Sequence, residues 1–396
     1  MSTDNGGLNG CVHFSDLNYV SAKGFAAIGD NGGHNSSAFD GTWALNNSEN
    51  VVDWAYRACH ESVAAGQELV SQFYAQKPTH SYYIGCSTAR SPCCSDWSGR
   101  SIQLTAKSGS VTFLIQDQWI LVQSKIFDQC DEPLDSVADG ILEDPTICKC
   151  DASVLQCSGN NTNNCLTATQ VSTVQKVFAE LYDLNDQLIY PALLYGSEVD
   201  AYRLGQLSGA VQGITNDWSR FAFRSAGKKM IMHHGMADPL VSGSNSQRYY
   251  LKVAKTLGLL NTEIDHFMRY FRISGMAHCG VGGISGAGPW MFGQTGAAAV
   301  PGIADNIIDR LVDWVEKSKA PDVLTGTKFY YGEPSRGLQY IRSHCRFPYR
   351  TSYNGGDDTR APGWRCKLID NWQQCAARLR RVFEIMMVLL NNIFTS

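Results

Sequence analysis

The sequence predicts an α/β protein: a mainly parallel sheet with flanking helices, split by an inserted lid-like segment. Two observations predict this. Short apolar runs of strand character alternate with stretches of helical period in the first and last thirds of the chain, the pattern of strands joined by crossover helices. Between them, over about residues 121–223, the chain changes character, with close-paired cysteines, an acidic loop and further helical stretches. The boundaries read as residues 1–120 and 226–367 for two halves of one core, 121–225 for the insert and 368–396 for an atypical tail.

Taken in order, residues 5–10 and 30–35 are rich in glycine and asparagine and read as tight turns, where glycine tolerates positive φ. Residues 51–74 turn helical, with Val52, Ala55, Cys59, Val63, Leu69 and Phe73 along one face. Residues 81–86 read as a short buried strand that delivers Ser87 at its end, but the run 91–98 does not look like the helix expected next. In the second half, residues 228–235 and 267–273 read as strands, 246–257 as a helix and 275–278 as a loop. Residues 306–319 form an amphipathic helix with Ile307, Leu311 and Trp314 on one face and Pro321 just beyond it. The apolar run 382–390 in the tail is too short to span a bilayer, which takes about 20 residues.

A chain of 396 residues with net charge −4 and no basic stripe offers no electrostatic footing for nucleic acid or for an anionic membrane. Fourteen cysteines point instead to an oxidising compartment. Cys130 with Cys148 and Cys157 with Cys165 are spaced to close short loops, and no paired CxxC spacing suggests zinc. Sequons at Asn35, Asn46 and Asn160 fit secretion and glycosylation, yet the first residues lack both a basic and an apolar leader region. The chain therefore reads as a secreted-type body truncated at its start.

Three residues at expected strand ends follow the chain order Ser87, Asp238, His278, that of the α/β-hydrolase triad. A serine hydroxyl needs a base to take its proton as it attacks, and a carboxylate to orient that base. His278 and Asp238 supply these types. His233 and His234 compete for the base role but fit better as packing or hydrogen-bonding residues near the site. Cys86 precedes Ser87 and Cys279 follows His278, so a disulfide between them would hold serine and histidine in one geometry; the alternative is two buried thiols. The Thr88 amide is the natural first oxyanion donor, and the glycine-rich loop 5–10 could supply a second. In the insert, Asp131, Asp135 and Asp139, with the carbonyls of Val137 and Ile141, offer the all-oxygen shell that calcium takes.

These blocks together resemble the fungal tannase and feruloyl esterase family, secreted serine esterases with a Cys-Ser, Asp, His-Cys constellation. The resemblance rests on residues 5–10, 82–88, 130–145, 234–238, 272–279 and 345–350. It implies an α/β-hydrolase core with an inserted lid, Ser87 as nucleophile, Asp238 as acid, His278 as base and Cys86–Cys279 as an active-site disulfide. It further implies structural calcium at Asp131, Asp135, Val137, Asp139 and Ile141, and hydrolysis of small or polysaccharide-linked esters of phenolic acids, feruloyl or galloyl. Against the family pattern the core is expected to be incomplete: Ala89-Arg90 stands where two glycines belong, a segment is missing near residue 225, and the strand before residue 5 is absent. A second reading follows, that of a catalytically inactive, truncated or mis-spliced relative keeping a calcium-stabilised lid.

Overall fold

The computed structural model describes residues 1–4, 6–38, 40–86, 109–159, 164–182, 186, 188–203, 207, 229–256, 259, 261–280, 290–294 and 300–369. The first half opens on a strand that the sequence analysis held to be absent. β1 (Ser2–Thr3) lies between β2 (Ile28–Gly29) and β3 (Tyr83–Ile84), parallel to both, with Thr3 opposite Gly29 and Ile84. Two residues are too few to show a period, which is why this strand is invisible in the sequence. Helix α1 (Phe14–Ala22) follows β1, and α2 (Ala58–Tyr74) precedes β3.

The expected helix at 51–74 forms, with Val52, Ala55, Cys59 and Val63 of its apolar face half-buried, but that face runs out into solvent towards its end. Leu69 and Phe73 are 67% and 82% exposed. The buried residue of α2 is Gly66, whose missing Cβ leaves room for Ile28 of β2. β3 is shorter than expected and not buried along its length: Tyr82 is inside, while Tyr83 faces out and donates its hydroxyl proton to Asp4 Oδ2 at 3.0 Å.

The insert has its own core. Leu114, Trp119, Val122 and Ile126, on and just before α3 (Gln116–Cys130), pack against Val171, Val174 and Val177 of α4 (Ala168–Val177) and against Leu193 and Leu207. Disulfides Cys130–Cys148 and Cys157–Cys165 close loops within it, with Cα separations of 5.5 and 4.9 Å.

The second half is the more regular. β4 (Met230–Gly235) and β5 (Met268–Ile273) run parallel through six paired residues, with Met230 opposite Met268 and Gly235 opposite Ile273. Between them runs α5 (Gly243–Thr256). Helix α6 (Ile307–Lys317) starts where Asn306 Oδ1 caps the Ile308 and Asp309 amides, and it buries Ile307, Ile308 and Trp314. Two antiparallel pairs complete the described residues: β6 (Val323–Phe329) with β7 (Leu338–Cys345), and β8 (Tyr349–Tyr353) with β9 (Trp364–Leu368). A disulfide not anticipated from the sequence, Cys345–Cys366, joins β7 to β9.

One apolar cluster unites both halves. Tyr19 and Val20 from α1 meet Phe271 and Ile273 from β5, Ile307 and Ile308 from α6, Leu324 from β6 and Ile141 from the insert, with Ile84 and Ile231 packed at its margin. The insert is pinned to this core by buried charge. Arg342 of β7, fully enclosed, donates to Asp139 at 2.7 Å and to Glu143 at 2.5 Å, and its guanidinium lies 3.8 Å from the Trp364 ring centre. Arg272 of β5 pairs with Asp144 in the same way.

Candidate active site

Neighbouring parallel strands β4 and β5 end at the same level, and Asp238 and His278 follow their carboxyl ends, the position where α/β sheets place their sites. The two exits are laced by backbone. Met236 N–H donates to Ile273 O at 2.8 Å and Ala237 N–H to Met276 O at 3.0 Å. Gly235 permits this: a Cβ there would stand 2.2 Å from Met276 O and 2.4 Å from Ala277 O. Only glycine lets the chains approach so closely.

Asp238 is thereby set against His278. Its Oδ1 accepts the backbone N–H groups of Leu240 and Val241 at 2.8 and 2.9 Å. Its Oδ2 lies 2.7 Å from His278 Nδ1 and 3.0 Å from His234 Nε2. Burial disfavours ionisation here, but the His278 and His234 imidazoles outweigh it and hold the carboxyl well below its ordinary value. With Nδ1 donating to Asp238, Nε2 is the basic nitrogen of His278. His233 is not a rival base. It is buried edge-on to Phe292, and burial, then His234, push its pKa down to about 4.

Cys86 and Cys279 are bonded, with Cα atoms 5.9 Å apart across 193 residues of sequence. Both sulfurs and a ring nitrogen of His278 lie within 4.8 Å of one another. The bond thus sets the end of the β3 segment beside His278. Ser87 and Thr88, next in the chain, lie outside the described residues, as does Asn5. The rest of the glycine-rich loop continues from β1, beside β3. It is held by Leu8 N–H on Ala38 O at 2.8 Å, and by His34 Nε2 and Ser36 Oγ on Leu8 O at 3.0 and 2.6 Å. Where insert meets core, Phe127, Leu142 and Tyr195 face Met236, Ala237 and Gly275 around a small cavity next to Asp238.

The acidic loop curls on itself. Gly140 N–H donates to Asp131 Oδ2, Val137 N–H to Asp135 Oδ1 and Ile141 N–H to Asp139 Oδ1, at 2.8, 2.9 and 3.0 Å. Burial pushes Asp135 up to about 8, with Glu143, Asp139 and Asp131 adding to it, and pushes Asp131 up to about 6, with Asp139 adding. Asp131 Oδ1 is buried with no hydrogen-bond partner among the described residues. An oxygen-only donor set with surplus negative charge and an orphaned buried oxygen fits a hard divalent cation. The carboxylates do not yet converge, however: among the described residues, the groups gathered within 4.8 Å are Cys86, His278 and Cys279, whose sulfurs are bonded to each other. The loop also touches the site. Ile141 packs against Gly275, which has φ +60° and would place any Cβ 2.6 Å from the Ile141 side chain, three residues before His278.

Sequence reasoning missed Arg342 and Arg272, the counter-charges of this loop. The available signal was the loop's excess of carboxylates, which requires a cation somewhere, but nothing in the sequence says which arginine supplies it.

Parallel strands with flanking helices, and an Asp–His pair just beyond their carboxyl ends, place the molecule among the α/β-hydrolases. The sequence profile described as "Tannase and feruloyl esterase" matches residues 4–90, 96–198 and 186–367. The chain belongs to that family and is a carboxylic ester hydrolase. It is 35% identical to "Probable feruloyl esterase B" of Emericella nidulans, over 92% of this chain and 80% of the relative. It is 35% identical to "Probable feruloyl esterase B-1" of Aspergillus oryzae, over 92% and 78%. The crystal structure of feruloyl esterase B from Aspergillus oryzae superposes with a TM-score of 0.82 at 33% identity, over 92% of this chain and 84% of that one. Tannin acyl hydrolase from Aspergillus niger, at 15% identity and a TM-score of 0.68, shares the fold. The first of these alignments spans 433 positions while taking in 92% of a 396-residue chain, so that relative carries internal residues with no counterpart here.

Proposed function

We propose that the chain hydrolyses esters of phenolic acids, with the feruloyl group preferred, through Ser87, His278 and Asp238 and a covalent acyl-enzyme. The observation that carries this is the 2.7 Å contact between His278 Nδ1 and Asp238 Oδ2, with the His278 ring held against the disulfide that adjoins Ser87. It favours an active hydrolase over an inactive relative. His278 Nε2 takes the Ser87 proton as Oγ adds to the ester carbonyl, and Asp238 stabilises the imidazolium. The Thr88 amide and an N–H of the loop after β1 receive the oxyanion. Collapse expels the alcohol, which leaves with the proton from His278. Water, deprotonated by His278, then attacks the acyl-enzyme, releasing the phenolic acid and restoring Ser87.

Asp131, Asp135 and Asp139, with the Val137 and Ile141 carbonyls, would hold calcium, whose charge offsets the mutual repulsion of the loop's carboxylates. Its role is structural, and its route to the site is the Ile141–Gly275 contact. The disulfides suit a secreted enzyme acting on free or polysaccharide-linked esters.

The test is hydrolysis of methyl ferulate and methyl gallate by the purified chain with calcium present, beside Ser87→Ala. Turnover of the ferulate that the substitution abolishes is the expected result. Turnover that survives Ser87→Ala would reject the nucleophile, and preference for the gallate would move the chain to the tannase side.

A further inference from the structure

We infer that His234 is a positioning residue for the triad carboxylate: a second imidazole that shares Asp238 with His278 and sets how strongly Asp238 can stabilise the imidazolium formed during attack. This rests on the triad reading above. His234 Nε2 lies 3.0 Å from Asp238 Oδ2, the oxygen that also takes His278. The same nitrogen lies 3.0 Å from Val241 O, while Nδ1 lies 2.6 Å from Ser246 Oγ on α5. Two acceptors at Nε2 require the proton there, and the Ser246 hydroxyl then donates to Nδ1. The hydrogen-bond pattern therefore places a proton on Nε2, which donates to Asp238.

The titratable groups about His234 are Asp238, the buried His233 and, beyond Asp238, His278. Arg272, its cross-strand partner on β5, is paired with Asp144 instead. Among the described residues no lysine or arginine pairs with the Asp238 oxygens, whose partners are the two imidazoles and two backbone amides. A hydrogen bond to a carboxylate draws off part of its charge. Donation from His234 therefore keeps Asp238 oriented while limiting how far it holds His278 in the protonated form, which cannot act as a base.

The experiment is the pH dependence of kcat/KM on methyl ferulate and p-nitrophenyl acetate for the full chain and three variants. His234→Leu removes the donor, leaving more charge on Oδ2 and favouring the imidazolium. The acid limb then moves up by about one half to one pH unit, which lowers kcat/KM on its acid side about three- to tenfold. His234→Gln, whose amide nitrogen can reach the same oxygen, returns the limb to its original place and restores most of the rate. Ser246→Ala unpins the tautomer and moves the limb in the same direction by less. A limb that stays in place in His234→Leu, or a Gln variant no better than Leu, overturns the inference. Should the Leu variant not fold, Ser246→Ala decides: an unmoved limb rejects the role. Ser87→Ala and His278→Ala in the same assay separate the two readings. Activity in either rejects the triad itself, whereas inactivity in both with an unmoved limb rejects only the role of His234.

Discussion

The strands that end before Asp238 and His278 are six residues long and fully paired, whereas those on the side of Cys86 are two residues long. On the first side, backbone hydrogen bonds between the strand exits and a glycine that admits close approach fix Asp238 against His278 before any side chain contributes. On the second, β3 ends at Ile84, and one disulfide, Cys86–Cys279, links its exit to the base. The helix packed beside that side leaves Leu69 and Phe73 in solvent. The lesson is that the two sides are held by different means: Asp238 and His278 by main chain, the exit of β3 by a covalent tether. Small errors of placement cost rate heavily, so the tethered side is where activity is most easily lost.

Three experiments sharpen or break this contrast. The largest effect is expected from Arg342→Met, which leaves Asp139 and Glu143 buried without their partner and removes the pin between insert and core. Uncompensated buried charge costs about 3–5 kcal/mol, read as a lower urea midpoint by circular dichroism; a midpoint within error of wild type would mean the insert is held by apolar contacts alone. Next is the tether. Cys86→Ala with Cys279→Ala should lower kcat about 100-fold and also lower the melting temperature, because that bond closes a loop of 193 residues, while Cys345→Ala with Cys366→Ala should lower the melting temperature and leave kcat nearly unchanged. Equal effects from both pairs would erase the distinction between the two sides.

The smallest effect concerns the acidic loop. Removing calcium that was present at ten times its dissociation constant costs about 1.4 kcal/mol, and the loss should depend on pH. Asp135 and Asp131 are raised to about 8 and about 6 in the metal-free fold, so the folded state holds protons that the unfolded chain releases near its ordinary carboxylate range. Stability is therefore lost as pH rises from about 4 towards 8. Chelation should lower the melting temperature more at pH 8 than at pH 5, where protons already relieve the repulsion. A loss independent of pH would remove these two carboxylates from the account.

The side of Asp238 and His278 was the more legible in the sequence, for the same reason that it is the better built. Residues 228–235 and 267–273 are long enough to show strand character, and Asp238 and His278 fall just beyond them. On the other side, β1 is too short to read, and the apolar stripe of α2 reported a helix without reporting what would cover it. The Cys86–Cys279 bond was readable because each cysteine adjoins a residue type with a chemical role. Cys345–Cys366 had no such neighbours. Arg342 was hidden by distance: 203 residues separate it from Asp139, and its strand gives no hint of a partner so remote.

The enclosure of Arg342 also makes the molecule its own optical gauge. Its guanidinium sits 3.8 Å from the ring centre of Trp364 and 5.7 Å from that of Trp290, both deeply buried, while the same group holds the insert by Asp139 and Glu143. Undocking of the insert must wet these indoles or remove a cation from their faces. Intrinsic emission would then follow lid engagement directly, without an added label.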